Sequence, residues 1–538
     1  MTIIASVPPA WLQEAAEQPI SPGVLEAGAT LAGLRFGPAE VLQMQRAVAE
    51  NAAGYARLQA LGLPHELAAP LVFQPLLPGR SIAPAKLVLE PPVAPTVSRP
   101  ADDEDLAFLS LAELSVLLRT RQLTSVELVR ACIARCRRLD ERLRFVVNLL
   151  EDQALGEAAA LDAELQAGRW RGPLHGIPYG AKDLLAARGA PTTWGSALHE
   201  HRVIDADATV VERLRAAGAV LLAKTSLGEY AYGDLWHGGR TRNPWDPEQG
   251  SSGSSAGSAA AVACGALPFA IGSETLGSIV SPSATCGASG LRPTFGSVSR
   301  HGAMCLSFTM DKIGPIARGL DDCAMVHEVI RGPDGKDPSV VAAPFARGRA
   351  ADLSRLVVGH PRGAFDEAPG HRHVLDQLRA MGVQVRPVDL DFGLPLGDLL
   401  VVLVVEAATQ FDELTRSGDD DAMVWQDEAA WPNTFRAARL VPAVEYLRAQ
   451  RLRTRVMQRM AEIFDEVDIL VHPSFAGDLL LATNLSGHPA ACLPDGLDAR
   501  GLPRSITFTG PLHGESDLLA VAGAWQSRHG SLPRPPVR

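Results

Sequence analysis

Two runs rich in serine and glycine stand near the middle of the chain. Residues 250–258 read GSSGSSAGS, and GSETLGS follows at residues 272–278. A serine hydroxyl becomes a nucleophile when a base takes its proton, and a desolvated neutral lysine can be that base in place of histidine. Glycines let backbone amides approach and hold an oxyanion. These residue types indicate acyl-transfer chemistry, provided that a buried lysine lies nearby.

Lysine is rare, with five among 50 basic residues, so each can be considered separately. Lys86 lies in a proline-rich stretch and Lys336 in the turn GPDGKDP, and we expect both to be solvated. Lys312, in MDKIGP, fits either a buried or an exposed position. Lys182 and Lys224 flank apolar strand-like sequence, where an ammonium group is costly unless it is paired or neutral. These two are the candidates for chemistry, and a structural ion pair is the alternative for each.

The elements around the first serine run favour a site over a flexible linker. Gly/Ser composition alone is typical of linkers. Here, however, the run opens onto a predicted helix at residues 259–263, which stops at Gly265. A strand-like stretch, residues 267–271, then leads into the second run. Loops held by rigid buried elements are where binding and catalytic groups commonly lie.

Strand and helix patterns alternate from residue 105 to the C-terminus, which predicts the α/β fold class. SLAE at 110–113 and TSVE at 124–127 are capping boxes that open amphipathic helices. Cys132 and Cys136, four apart on the second helix, are expected to share its buried face.

The first hundred residues have a different character. Residues 39–63 show helical spacing, and residues 64–100 contain nine prolines with little periodicity, which indicates an extended strap. We therefore predict a helical and proline-rich appendage at 1–100 and a main domain at 101–538.

Composition limits the possible functions. With 538 residues and 46% hydrophobic content, the chain can bury one large core. A net charge of −11 offers no basic patch for nucleic acid. Seven cysteines, with no CxxC and no Cys/His cluster at metal spacing, indicate reduced thiols. The N-terminus lacks the charged region of a signal peptide, and the longest strongly apolar run, 399–405, cannot span a bilayer. We expect a soluble cytoplasmic protein.

Several motifs together resemble the amidase signature family. They are GSSAGSAAAVACGALPFAIGSETLGSIVSPSATCGASGLRPTFGSVS (253–299), GPLHGIPYGAKDLL (172–185), NPWDP (243–247), DKIGPIAR (311–318) and NLSGHPAACLPDG (484–496). The resemblance covers residue 105 to the C-terminus. It implies a central mixed β-sheet covered by helices on both faces, and hydrolysis of amide C–N bonds.

The resemblance also implies the roles of individual residues. The family's nucleophile falls on Ser278, its bridging serine on Ser254 and its lysine on Lys182. The two serines stand 24 residues apart, as in the family. A cis peptide bond is expected before Ser254. Backbone amides of the segment Thr275, Leu276, Gly277 and Ser278 would form the oxyanion hole. Lys224 has no catalytic counterpart, so for it the ion pair is favoured.

The implied enzyme forms an acyl-enzyme on a small amide and needs no metal and no other cofactor. The glycine-rich run also lacks the lysine of a phosphate-binding loop. The partner is expected to be a small-molecule substrate, without nucleic acid or membrane, and the chain could form a homodimer.

Four positions depart from the family pattern. Leu276 replaces a glycine, Glu274 an aspartate, Arg292 a lysine, and Val280 an arginine. An arginine at position 280 could hold a substrate carboxylate, whereas valine cannot. We therefore expect Val280 to line a pocket for uncharged, partly hydrophobic acyl groups or aryl amides. The alternative is that Val280 points away and only packs.

Other interpretations remain open. GSSAG (253–257) fits the G-x-S-x-G pattern with Ser255 as nucleophile, and HGG (237–239) resembles an esterase oxyanion loop, but no buried strand is predicted just before the serine. The family also includes the amidase subunit of a tRNA-dependent amidotransferase. A further alternative is an enzyme that hydrolyses carbamates, urea derivatives or esters. The last is an inactive binding protein on the same fold.

Overall fold

The computed structural model describes residues 20–60 and 71–537. The α-helices in these ranges are α1 Pro22–Leu31, α2 Pro38–Gln59, α3 Asp103–Leu106, α4 Leu111–Arg119, α5 Ser125–Leu143, α6 Glu151–Gln166, α7 Thr209–Ala216, α8 Ala256–Ala263, α9 Val280–Cys286, α10 Leu320–Ile330, α11 Ala364–Glu367, α12 Arg372–Ala380, α13 Val401–Gln410, α14 Asp412–Ser417, α15 Trp431–Ala438, α16 Ala443–Glu466, α17 Leu479–Ser486 and α18 Glu515–His529.

The strands are β1 Leu89–Glu90, β2 Val146–Leu149, β3 Pro178–Lys182, β4 Val220–Thr225, β5 Leu235–Trp236, β6 Gly239–Arg240, β7 Arg242–Asn243, β8 Asp246–Gly250, β9 Phe269–Glu274, β10 Ser289–Arg292, β11 Lys312–Ala317, β12 Arg349–Ala350, β13 Val357–Pro361, β14 Gln384–Val388, β15 Ile469–Pro473, β16 Ala490–Leu497 and β17 Pro503–Thr509. Eleven of them form one sheet in the order β14-β13-β15-β17-β16-β10-β11-β9-β3-β4-β2.

This sheet is mixed, which confirms the predicted α/β class. Strands β13, β14 and β15 run parallel, as do β4, β3 and β9, while the strands between these two groups pair antiparallel. Every residue of β3, β4, β11 and β15 is buried, so the sheet is covered on both faces.

The local sequence signals for helices also agree with the structure. Ser110 and Thr124 cap α4 and α5, each with a complete capping box. Cys132 and Cys136 both lie on the buried face of α5. Within the described residues the cysteines form no disulfide. No helix in those same ranges is both long and apolar enough to cross a membrane.

Residues 71–100 of the N-terminal segment pack on the rest of the molecule. Helix α2 begins one residue before the predicted stretch, 39–63, and ends at Gln59; residues 61–63 fall outside the described residues. Beyond it, β1 pairs with β12, and the Phe73 ring meets that of Phe295 edge to face. The boundary at residue 100 stays a prediction.

Candidate active site

Lys182 is the last residue of β3 and is fully buried. Its Nζ donates hydrogen bonds to Ser254 Oγ at 2.8 Å and Ser255 Oγ at 3.0 Å. It also contacts Ser273, through Oγ at 2.9 Å and the carbonyl oxygen at 3.2 Å. Burial lowers the pKa of Lys182 to about 7, against the opposing charges of Asp311 and Glu274. A large fraction of this amine is therefore neutral at neutral pH.

Ser254 lies in the loop that leads into α8. The peptide bond between Gly253 and Ser254 is cis, as the family resemblance implies. A Cβ on Gly253 would overlap the carbonyl oxygen of Gly233, so only glycine fits at this position. The next amide, that of Ser255, donates to the carbonyl oxygen of Ser278 at 3.1 Å. The first serine loop and the second thus meet directly, and Lys182 at the end of β3 contacts the first of them.

Ser255 and Ser273 are partners of Lys182 that the sequence did not reveal. Ser255 Oγ donates to the Ser273 carbonyl oxygen and accepts the Ser273 N–H, both at 3.1 Å. These bonds tie the first loop to the end of β9. The sequence did contain one signal for Ser273 as a site residue, because it stands in the second Gly/Ser run. As a pair, Ser255 and Ser273 hold the amine of Lys182 in one orientation.

Residues 275–278 form the turn between β9 and α9. Thr275 Oγ1 donates to Asp311 Oδ1 at 2.5 Å, and Leu276 packs half-buried against the main core. Gly277 has a φ of 84°, a conformation that favours glycine. Ser278 follows immediately and retains 9% of its accessible surface. The turn therefore presents Ser278 at the start of α9.

Glu274 holds this turn in place. Its Oε2 accepts the N–H groups of Ile279 and Val280 at 2.8 and 2.9 Å, which satisfies the first turn of α9. Its Oε1 accepts from Arg292 at 2.7 Å, and both side chains are fully buried. Burial opposes ionisation of Glu274, but the charges of Arg292 and Lys312 lower its pKa to about 2. Two of the departures from the family pattern are thus partners in one ion pair.

Lys224 forms the structural ion pair that was favoured for it. Its Nζ lies 2.7 Å from Asp183 Oδ1, with both side chains fully buried, and it also donates to Thr192 Oγ1 at 2.8 Å. Lys312, for which the sequence left both possibilities open, is buried and donates to the Met310 carbonyl oxygen. Lys86 and Lys336 are exposed, as expected.

Val280 is fully buried in a small apolar cluster with Ala284 and Cys492, against which Leu480 packs. This packing favours the alternative in which residue 280 points away from the substrate. A place for Val280 in the substrate pocket stays a prediction.

The structure also bears on Ser255 as the nucleophile of an α/β-hydrolase elbow. A nucleophile elbow needs a buried strand of the main sheet just before the serine. The strand that precedes Ser255 is β8, which belongs to a separate two-stranded ribbon and is largely solvent-facing. The hydroxyl of Ser255 instead accepts a hydrogen bond from Lys182 and donates one to the Ser273 carbonyl oxygen.

Known proteins resemble this chain over most of its length. The family model described as Amidase matches residues 127–482. The chain is 34% identical over 473 residues to the putative amidase AmiD of Mycobacterium bovis, covering 81% of this chain and 98% of that protein. It is 33% identical over 468 residues to one subunit of the glutamyl-tRNA(Gln) amidotransferase of Methylococcus capsulatus, covering 78% and 96%. The X-ray structure of the peptide amidase from Stenotrophomonas maltophilia matches with a TM-score of 0.71 and 31% identity, covering 80% of this chain and 99% of that chain.

The mixed sheet and the buried hydrogen bond between Lys182 and Ser254 agree with the fold and the residues that the family resemblance implies. The chain belongs to the amidase signature family. It is an enzyme that hydrolyses amide C–N bonds of small substrates, as the motifs predicted.

Proposed function

We propose that this enzyme hydrolyses uncharged, partly apolar amides through an acyl-enzyme on Ser278, with Ser254 and Lys182 as its proton relay. The 2.8 Å hydrogen bond between buried Lys182 and Ser254 is the observation that carries this proposal. The hydrogen bond from the Ser255 amide to the Ser278 carbonyl supports it further, because it holds the backbone of Ser278 next to that of Ser254.

These contacts support a reaction in two steps, acylation of Ser278 and hydrolysis of the acyl-enzyme. Neutral Lys182 takes the proton of Ser254, which takes that of Ser278 as its Oγ attacks the amide carbon. Backbone N–H groups of residues 275–278 stabilise the oxyanion of the tetrahedral intermediate. The relay returns the proton to the departing amine, and water then releases the acid from Ser278.

Aromatic side chains close in the chain to Gly233, whose backbone contacts the serine loop, support an apolar or aryl substrate. Gly233, whose carbonyl packs on Gly253, directly follows Tyr232. The Tyr232 ring stacks on Trp425 with centroids 5.1 Å apart, lies 4.9 Å from the Trp431 ring, and is 38% exposed. An aromatic surface at the edge of a polar site suits an apolar group next to the scissile bond.

The similarity to the amidotransferase protein supports a second candidate, in which the chain acts with partner subunits in releasing ammonia for a charged tRNA. Purification from the native host separates the two: a free amidase elutes alone, whereas an amidotransferase component elutes with partner chains. The same preparation tests the predicted homodimer, because light scattering gives the mass of the assembly.

Substitutions at the serines test the proposed roles. We expect Ser278→Ala and Lys182→Ala to lower kcat/KM by roughly 10⁴-fold or more, and Ser254→Ala nearly as much. Combined variants should lose little more than the single ones, because the three residues act as one unit. Ser255→Ala is the matched control: it removes the bonds of Ser255 to Lys182 and Ser273 but leaves Ser273 Oγ on the amine, and it should cost about tenfold or less.

The nucleophile is identified independently by labelling. A fluorophosphonate should inactivate the enzyme and add one mass increment to the peptide that contains Ser278. Label on Ser255, together with a dead Ser255→Ala variant, would overturn the assignment. A panel of anilides, aliphatic amides, peptide amides, carbamates, urea derivatives and esters defines the substrate class, and a preference for amides of dicarboxylic acids would contradict it.

A further inference from the structure

Three histidines surround a buried aspartate in a cluster that shares no residue with the serine loops. Asp495 lies on β16 and its carboxylate is fully buried. His373 lies on α12 and His529 is the last residue of α18. One ligand atom from each of Asp495, His373 and His529 lies within 4.8 Å of the others. The cluster joins three elements that are far apart in the sequence.

The hydrogen bonds around this cluster leave ligand atoms without good partners. His373 Nε2 lies 2.6 Å from Asp495 Oδ1, yet within the described residues neither of these buried atoms has a hydrogen bond of acceptable geometry. His529 Nε2 lies 3.8 Å from the same oxygen. A buried carboxylate oxygen without a satisfied hydrogen bond needs another partner.

Neighbouring groups orient the three side chains. His371 Nδ1 faces Asp495 Oδ2, the oxygen that is not next to His373. His373 Nδ1 lies 3.1 Å from the Gly370 carbonyl oxygen. If that nitrogen carries the proton, Nε2 keeps its lone pair. The His529 ring stacks between those of Trp525 and His373, at 4.7 and 5.4 Å. A contact between the second ring nitrogen and a backbone carbonyl, as His373 makes with Gly370, is typical of metal-binding histidines.

We propose that Asp495, His373 and His529 bind a divalent transition metal ion of the zinc class. Two imidazoles and one carboxylate suit Zn²⁺ and its neighbours, and water can complete the coordination. Ligand atoms on a tetrahedral zinc lie about 3.3 Å apart, as metal–ligand bonds of about 2.0–2.1 Å require. The separations of 2.6 and 3.8 Å lie on either side of this value and need only small side-chain shifts.

The bound ion would fasten the end of α18 to β16 and to the start of α12. None of the three ligands is one of the proposed catalytic residues, so we expect the ion to act on stability and not on amide hydrolysis. Arg504 donates to the Asp495 carbonyl oxygen at 3.1 Å, which places a cation beside the cluster. Its charge weakens the affinity for the ion, but its bond is to the backbone and not to the carboxylate.

Metal titration of the full chain without an affinity tag tests the proposal. The protein is stripped with EDTA, desalted and titrated with Zn²⁺ by calorimetry, with Co²⁺ absorption as a second readout. We expect one equivalent to bind, an increase in Tm, and a Co²⁺ spectrum of low-symmetry coordination without thiolate charge-transfer bands. His373→Ala and His529→Ala should each weaken Zn²⁺ binding by about 100-fold or more, and His371→Ala, a positioning residue, by about tenfold.

The matched control is His201→Ala, which removes an exposed histidine outside the cluster and should bind like wild type. If Asp495→Asn fails to fold, the histidine variants still decide the question. Wild type that binds no Zn²⁺ would show a cluster held by hydrogen bonds alone and would overturn the proposal, as would unchanged binding by His529→Ala.

Discussion

At the scale of single residues, Lys182 combines three properties that a catalytic base needs. It is fully buried, it contacts serine hydroxyls, and its pKa lies near 7. Ser255 and Ser273 occupy its other bonding directions and restrict the rotation of the amine. The amine is thereby fixed toward Ser254, and the proposed relay depends on this orientation.

The pKa of Lys182 predicts the acid limb of the pH profile. Only the neutral amine can accept a proton, so kcat/KM should rise with pH and level off above an apparent pKa near 7. The profile is measured with a neutral substrate from pH 5.5 to 9, a range of about 1.5 to 2 units around that pKa. A Lys182→Arg variant with residual activity provides the check. If its acid limb stays at the same pH, the limb reports the ionisation of another group.

Charge preference is a second prediction at this scale. Arg292, a buried cation beside the serine turn, is already paired with Glu274. Burial lowers the pKa of Lys312, a buried lysine that also acts on Glu274, well below its usual value. We therefore expect wild type to favour a neutral amide over its ω-carboxylate analogue by more than about tenfold in kcat/KM, the factor that 1.4 kcal/mol gives. Because Val280 packs in a closed apolar cluster, Val280→Arg should leave this ratio within about twofold, provided that the variant folds. A tenfold fall in the ratio would instead place residue 280 in the substrate pocket.

At the scale of elements, buried ion pairs hold the strand ends that carry the site. Glu274 at the end of β9 satisfies the start of α9 and pairs with Arg292 at the end of β10. Asp183, directly after β3, pairs with Lys224 on β4. Both pairs fix the backbone next to a proposed catalytic residue, Ser278 in one case and Lys182 in the other.

The Lys224–Asp183 pair predicts a large effect on stability. Lys224→Met leaves the Asp183 carboxylate buried without its cation and should lower the free energy of unfolding by about 3–5 kcal/mol. Lys336→Met, which breaks an exposed pair with Glu212, is the control and should cost less than about 1 kcal/mol. Equal midpoints of urea denaturation for the two variants would contradict this account.

At the scale of the whole molecule, a segment that precedes the family match packs against the C-terminal half. Arg80 pairs with Asp465, Lys86 with Asp468, and the Lys86 and Leu87 amides donate to Asp517. Residues 71–100 therefore act as a strap that spans distant parts of the chain.

The proposed chemistry uses only side chains and backbone amides, so we expect hydrolysis to be independent of metal ions. Treatment with EDTA should leave kcat/KM unchanged within about twofold, since none of the proposed steps uses a metal. The same treatment should lower Tm if zinc occupies the histidine cluster. Loss of hydrolysis that added Zn²⁺ restores would contradict both the mechanism and the separation of the two sites.

The sequence by itself was sufficient for features encoded locally or by ordered motifs. The α/β class followed from alternating patterns, the helix starts at Ser110 and Thr124 from capping boxes, and the buried position of Lys182 from the apolar strand before it. Each depends on residues close in the chain, where spacing fixes geometry.

The tertiary structure decided what depends on contacts between distant segments. It paired Glu274 with Arg292 and brought Ser255 and Ser273 within hydrogen-bond distance of Lys182. It also packed Val280 against Ala284, Cys492 and Leu480. It also brought His373, Asp495 and His529 together, although the spacing of these residue types along the chain predicts no metal cluster. Spacing along the chain carries no information about such groups, because the folding of the sheet and its helices alone sets which distant side chains meet.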